Sequence, residues 1–219
     1  MRFITLRVLC EGQTELNFVT QVLKPHLRAY NVFAKSELLR HGQGGIVSWE
    51  KLRFAIKADV GRLQHNEYVT TMIDLYAIGN YPGVERRFGE TPYARTKRIE
   101  QNMAEGLPNP RFLPYIQVHE FEALVLVDVS HLPAQFPDGE ADGAADKLRS
   151  DIGEVPPELV NDGANTAPSK RIISVVPAYA RWKASAGPEI ARLIGIHRLK
   201  EACPHFNEWV TQLEHLSED

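Results

Sequence analysis

The chain has 219 residues, 43% hydrophobic and 24% charged, with a net charge of -3. These proportions belong to a globular protein of one large domain, or a domain with an appendage, and exclude a polybasic protein that coats nucleic acid. A local basic face would still suffice for nucleic-acid binding. Two cysteines suggest neither a disulfide framework nor a zinc knuckle and point to a reducing cytoplasm. No apolar run approaches the roughly 18 residues of a membrane span. The N-terminus, with Arg2, Arg7 and Glu11, lacks the layout of a signal peptide.

The apolar run from Phe3 to Cys10 predicts a first strand. Glu11-Gly12-Gln13-Thr14-Glu15 follows it. Leu16, Phe18, Val19, Val22, Leu23 and Leu27 then recur at helical spacing, which predicts a helix over 14–30. Thr14 suits a cap or first turn, and Glu15 suits the positive end of the helix. Pro25 predicts a kink or an early end. Residues 32–39 read as a second strand and 48–64 as a second helix. Between them His41-Gly42-Gln43-Gly44-Gly45 is a loop without the ending of a triphosphate-binding motif.

Tyr68 to Ile73 is a third strand, closed by Asp74. A loop over 76–89, a helix over 93–105 and a strand over 112–118 follow. His119 to Val127 is ambiguous between helix and strand; a helix start at Glu120 is favoured, since carboxylates suit a helix N-terminus. The alternation predicts an α/β fold, a mostly parallel sheet of about four strands flanked by helices, over residues 1–128. Composition then shifts, with five prolines in 133–168. Short helices at 141–150, 169–176, 188–195 and 205–216 predict a loop-rich helical extension, 129–219, packed on the core.

Three of the predicted strands end in acids: Glu11, Asp74, and the pair Glu120 and Glu122. A lone Glu is more often a cap or a solvated charge. Acids at three strand ends together suggest a divalent-metal site, because Mg2+ and Mn2+ prefer hard oxygen ligands. Glu120 and Glu122 diverge by about 200° in a helix and share a face in a strand; Glu120 is slightly preferred. His119 reads first as a structural residue, then as a base or ligand. In Asn165-Thr166-Ala167-Pro168-Ser169-Lys170-Arg171, Ser169 caps a helix whose N-terminus, with Lys170 and Arg171, suits an anion; an ordinary capped surface helix is equally consistent. Arg86, Arg87, Arg95, Lys97 and Arg98 read first as a solvated face and second as a phosphate track. Cys203-Pro204-His205-Phe206 reads as packing rather than as a nucleophile and base.

Taken together these residues resemble the DUF4276 family, a bacterial family related to Toprim domains, over nearly the whole chain. The resemblance rests on Glu11-Gly12-Gln13-Thr14-Glu15, Asp74-Leu75-Tyr76, the stretch Pro114 to Leu124, Ala167 to Arg171, and Cys203 to Phe206. It implies a Toprim-like core, as in topoisomerases, primases and OLD-type nucleases. Those hold magnesium with a Glu after the first strand and an Asp-x-Asp after a later one. Glu11 and Asp74 match; position 76 is Tyr, so Glu120 or Glu122 supplies the missing carboxylate in this reading. The resemblance also implies pairing with an ATPase and a role in anti-phage defence.

The expected function is a Mg2+- or Mn2+-dependent nuclease acting on DNA or RNA. Glu11, Asp74, Glu120 and Glu122 form its metal set, Glu11 and Lys170 its catalytic set, and Ser169, Lys170 and Arg171 its phosphate set. The alternative is a non-catalytic Toprim-like module that binds a partner ATPase.

Overall fold

Five parallel strands make one sheet in a computed structural model that describes residues 2–39, 48–60, 63–137, 139–160, 163 and 166–218. The glycine-rich loop at His41 to Gly45, and Asn165, lie outside the described residues. β1 (Ile4–Cys10) lies between β2 (Val32–Leu38) and β3 (Glu67–Asp74). β4 (Phe112–Leu113) and β5 (Ile116–Gln117) pair successive stretches of the far edge of β3.

Between β1 and β2 run α1 (Gln13–Phe18), a π turn (Val19–Leu23), α2 (Lys24–Leu27) and a 3-10 turn (Arg28–Tyr30). α3 (Trp49–Val60) precedes β3, and α4 (Pro92–Gly106) precedes β4. The rest is helical: α5 (Glu122–Val125), α6 (Ala144–Ile152), α7 (Pro168–Val175), α8 (Tyr179–Ile194), α9 (Ile196–Ala202) and α10 (Pro204–Glu214). Among the described residues no helix is long and apolar enough to cross a membrane.

Helices cover both faces of the sheet, which is why its strands read as nearly continuous apolar runs. On one face Ile4, Leu6, Val8 and Cys10 of β1 pack with Phe18 and Leu23, and with Ile190, Phe206 and Trp209 of α8 and α10. On the other, Leu9 and Ile73 pack with Leu52 and Ile56 of α3 and Ile99 and Met103 of α4. Residues beyond 128 thus bury their apolar side chains in the same core as β1.

Three prolines explain where the structure departs from the periodicity. Pro114 divides the predicted strand 112–118 into β4 and β5, because it cannot donate to the ladder. Side chains of β3 bridge the gap: the Thr70 hydroxyl donates to the Leu113 carbonyl at 2.5 Å, and Thr71 exchanges hydrogen bonds with Tyr115 N–H and C=O at 2.9 and 2.8 Å. Pro25 does not stop the first helix. The π turn, with Lys24 N–H donating to Val19 C=O, widens the chain just where the proline ring would crowd the preceding turn.

Pro188 has the opposite effect on the reading. It suggests a helix start at 188, whereas α8 begins at Tyr179 and runs through the proline. A proline there leaves the Ala184 carbonyl without its helical donor. Asn17 of α1 supplies one, its Nδ2 donating to Ala184 C=O at 2.7 Å.

This substitution of donors yields a prediction. Asn17→Ala should cost about 1 kcal/mol of unfolding free energy, and clearly less in a Pro188→Ala background, where residue 188 regains an N–H for the same carbonyl. Urea denaturation of the four proteins measures the coupling; strictly additive losses would show that Asn17 does not serve that carbonyl.

Candidate functional site

The chain leaves β1 for β2 on one side and returns to β3 on the other. Such a reversal opens a crevice at the carboxyl ends of the two strands, where open α/β sheets bind ligands. Glu11 follows β1 directly and Asp74 closes β3. The Glu11 carboxylate accepts a hydrogen bond from the Asp74 backbone N–H at 2.9 Å. The Glu11 N–H donates to Met72 C=O at 3.1 Å. Both acids are therefore fixed to the same strand ends.

Glu15 lies one turn into α1 and reaches back to accept the Gly12 N–H at 2.9 Å, half of a capping box. A Cβ at residue 12 would stand 3.1 Å from that Glu15 oxygen, so a glycine there lets the carboxylate return so closely.

Glu120 and Glu122 reach the crevice from the far side of Asp74. Ile73 and Asp74 pair with Ile116 and Gln117 of β5. The chain then turns at His119, whose φ of 60° is left-handed, and α5 starts at Glu122, two residues later than the sequence suggests. Glu120 stays in the turn and accepts the Ser169 N–H at 2.9 Å. Glu122 is fully buried; its Oε1 accepts from the Tyr179 hydroxyl at 3.2 Å and lies 3.6 Å from Lys183 Nζ. Asp74 Oδ1 and Glu122 Oε2 are buried and, among the described residues, have no hydrogen-bond partner.

Lys183 and Tyr179 escape the sequence reading. The signal was Tyr179, Lys183 and Gly187 at steps of four, one face of a helix, but it lies in the part of α8 before Pro188. Gly187 belongs to the same contact. A Cβ there would meet the Tyr179 hydroxyl at 2.9 Å and the Phe121 ring at 3.1 Å.

The electrostatics follow from crowding. Burial pushes the Asp74 carboxyl well above the ordinary range, and Glu15, Glu11, Glu122 and Glu120 push it the same way. Burial raises Glu11 as well, against the pull of the Asp74 N–H and Lys183. Burial also raises Glu122, eased by Lys183, and pushes Glu15 up to about 6. Lys183 is raised in turn: burial opposes its charge, but Glu122, Asp74 and Glu120 outweigh that.

The donors are all hard oxygens, two of them unpartnered, which fits the ligand chemistry of Mg2+ or Mn2+. Among the described residues, however, no group of three or more His, Cys, Asp or Glu side chains stands in an arrangement that could hold a metal ion. The crevice is an acidic cluster rather than a preformed cage.

The predicted phosphate set lies at the start of α7. There the helix N-terminus meets a carboxylate of the chain itself, since the Ser169 N–H is donated to Glu120. Arg171 faces α6, its Nε donating to Thr166 C=O at 3.0 Å and its Nη1 to Asp151. Lys170 is exposed. Glu158, fully buried, caps α10 in the same manner as Glu120 caps α7, accepting the N–H groups of His205 and Phe206 at 3.0 Å each. Cys203 is buried, its thiol pushed well up by that burial, and His205 pairs with Glu100 at 2.9 Å.

The chain belongs to the DUF4276 family, described as a domain of unknown function, which matches residues 10–214. No curated protein and no solved structure matches it.

Raised carboxyl pKa values have a definite sign in stability. The folded protein holds protons on these acids that the unfolded chain releases, so their stabilising contribution is complete below about pH 4.5 and is lost as pH rises through the folded values. For Glu15, a rise from 4.5 to about 6 corresponds to about 2 kcal/mol. In chelator, the melting temperature should fall by about 4–8 °C between pH 5 and pH 7.5, and Asp74→Asn should flatten the profile. Calorimetry across that range decides; a wild-type profile as flat as that of Asp74→Asn would refute the crowding.

Proposed function

We propose that the chain is a divalent-cation-dependent phosphodiester hydrolase acting on nucleic acid, with a Toprim-like core. The observation that carries this reading is the pair of buried carboxylate oxygens, of Asp74 and Glu122, that have no hydrogen-bond partner among the described residues, in a crowd of acids at the topological switch point. The position of Glu11 after β1 and Asp74 at the end of β3 supports the Toprim-like relation.

Asp74 and Glu122 would hold Mg2+ or Mn2+, with Glu11 and Glu120 beside them; a bound cation would supply an activated water and offset charge on the phosphate. Glu11, raised by burial and tied to the Asp74 N–H, takes up and returns a proton as general acid/base. Lys183, half-exposed above Glu122, offers its ammonium to a phosphate oxygen, as does the exposed Lys170. Ser169 and Arg171 hold α7 in place against Glu120 and Asp151.

One group of contacts favours the second reading, a non-catalytic module that binds a partner. Glu11, Glu15 and Glu120 already accept backbone N–H groups, as purely structural caps do.

Two measurements separate the readings. Calorimetric titration with Mn2+ should give binding to the wild type that Asp74→Asn abolishes. Oligonucleotide cleavage in Mn2+ should fall at least about 100-fold in Glu11→Gln, with an unchanged circular dichroism spectrum. Unaltered cleavage in that variant would remove Glu11 from the mechanism, and absence of Mn2+ binding would leave the module reading.

A further inference from the structure

The sheet ends on one side at β2, whose outer edge pairs with no strand among the described residues. β2 is seven residues long, well beyond the very short strands with which proteins blunt an edge. The opposite edge is blunted in that way. β4 and β5 are two residues each, divided by Pro114, and a proline interrupts any further ladder.

The side chains of β2 show what its edge is suited to take. Val32 and Ala34 are buried in the core shared with α8 and α10. Phe33 and Lys35 alternate with them on the other face and are exposed. The Phe33 ring lies 5.9 Å from that of Phe3, which is itself 66% exposed. Leu38 belongs to the face of Val32 and Ala34, yet it is 43% exposed. Bared apolar side chains thus stand on both faces of one strand. A helix laid on the sheet would cover one face only. A strand added at the edge flanks both and pairs with the β2 backbone as well.

Charge identifies that strand. A lysine on an edge ordinarily keeps other strands away, so the partner must bring an acid to Lys35. β2 carries such an acid two residues on, at Glu37. Arg7 of β1 holds the Glu37 carboxylate in place, Nε and Nη2 donating to its two oxygens at 2.9 and 2.7 Å. Those oxygens have lone pairs for a further donor.

Two copies of β2 related by a two-fold axis normal to the sheet run antiparallel, and residues opposite one another belong to the same face. The possible registers therefore step by two. Centred on Lys35 or on Glu37, the pairing sets like charges directly opposite, which is destabilising. Centred on Ala34, it sets Lys35 opposite Phe33 and gives neither charge a counterpart. Centred on Ser36, it sets Lys35 of each copy opposite Glu37 of the other, and the exposed Leu38 opposite Ala34. Only this register satisfies both charges and covers Leu38.

We propose that β2 pairs antiparallel with β2 of a second copy of the chain, centred on Ser36, so that two sheets join into one. The assembly stops at two copies, because the pairing uses up the β2 edge and the short, proline-divided edge of β4 and β5 offers no second template. It does not depend on the hydrolase reading.

The test is sedimentation equilibrium from about 2 to about 200 µM, the range of a weak interface, with hydrogen exchange measured at both ends of that range. The mass should rise to twice the 24.7 kDa of the chain, and exchange over 32–38 should slow as it does. Lys35→Glu turns two symmetric pairs from attraction to repulsion and should weaken the dimer at least about 10-fold, while Lys35→Arg retains it. The fold should survive Lys35→Glu, because residue 35 is exposed and its register neighbour on β1 is Arg7; circular dichroism checks this. A monomer at every concentration, growth beyond two copies, or a dimer that Lys35→Glu leaves unchanged would each overturn the proposal. So would a dimer whose exchange over 32–38 does not change with concentration, which needs no variant to be observed.

Discussion

The hydrogen bond from the Asp74 N–H to the Glu11 carboxylate ties the ends of β1 and β3 together where the sheet reverses its direction of growth. Everything at the crevice depends on that tie. It fixes one acid over the backbone of another, and β5, paired to the last residues of β3, brings two more. The parallel topology leaves these side chains little room to avoid one another, because strand ends about 4.8 Å apart set their spacing. Protonation, Lys183 and any bound cation are three answers to the same crowding.

A second regularity is that the chain supplies its own anions to its helix starts. Glu15 returns to Gly12 at α1, Glu120 to Ser169 at α7, and Glu158 to His205 and Phe206 at α10. A helix N-terminus is a partial positive charge with unpaired N–H groups, so it draws either a ligand or a nearby carboxylate. At α7 the carboxylate is Glu120, from a segment 49 residues earlier in the chain. The same contact that occupies the Ser169 N–H at the start of α7 steadies an acid at the crevice.

How far the sequence revealed this depends on the range of each interaction. β1 and β3 are legible because a strand buried on both faces shows itself in its own composition, and Glu11 and Asp74 are legible as the residues where those runs stop. Pro188 is misleading because its remedy, Asn17, is 167 positions before Ala184; no local pattern announces a distant donor. The loss carried Tyr179 and Lys183 with it. Nor does any local pattern announce Glu120 and Asp151 as partners of Ser169 and Arg171, since they become neighbours only through tertiary packing. Pro114, by contrast, carries its own warning, since a proline has no N–H to donate to the ladder.

The net charge of -3 conceals a strong local separation. Acids crowd one side of Leu75 and His119, and Arg86, Arg87 and Arg95 line a cavity on the other. A phosphate seated among the arginines would lie beside carboxylates that repel it, and a cation among the carboxylates would lie beside guanidinium groups that repel it. Each ligand removes the obstacle to the other. If both bind, linkage requires the two affinities to rise by the same factor. Lys183 fits the same logic: it lies 3.6 Å from the Glu122 oxygen and lends the cluster part of the positive charge that a cation would bring in full.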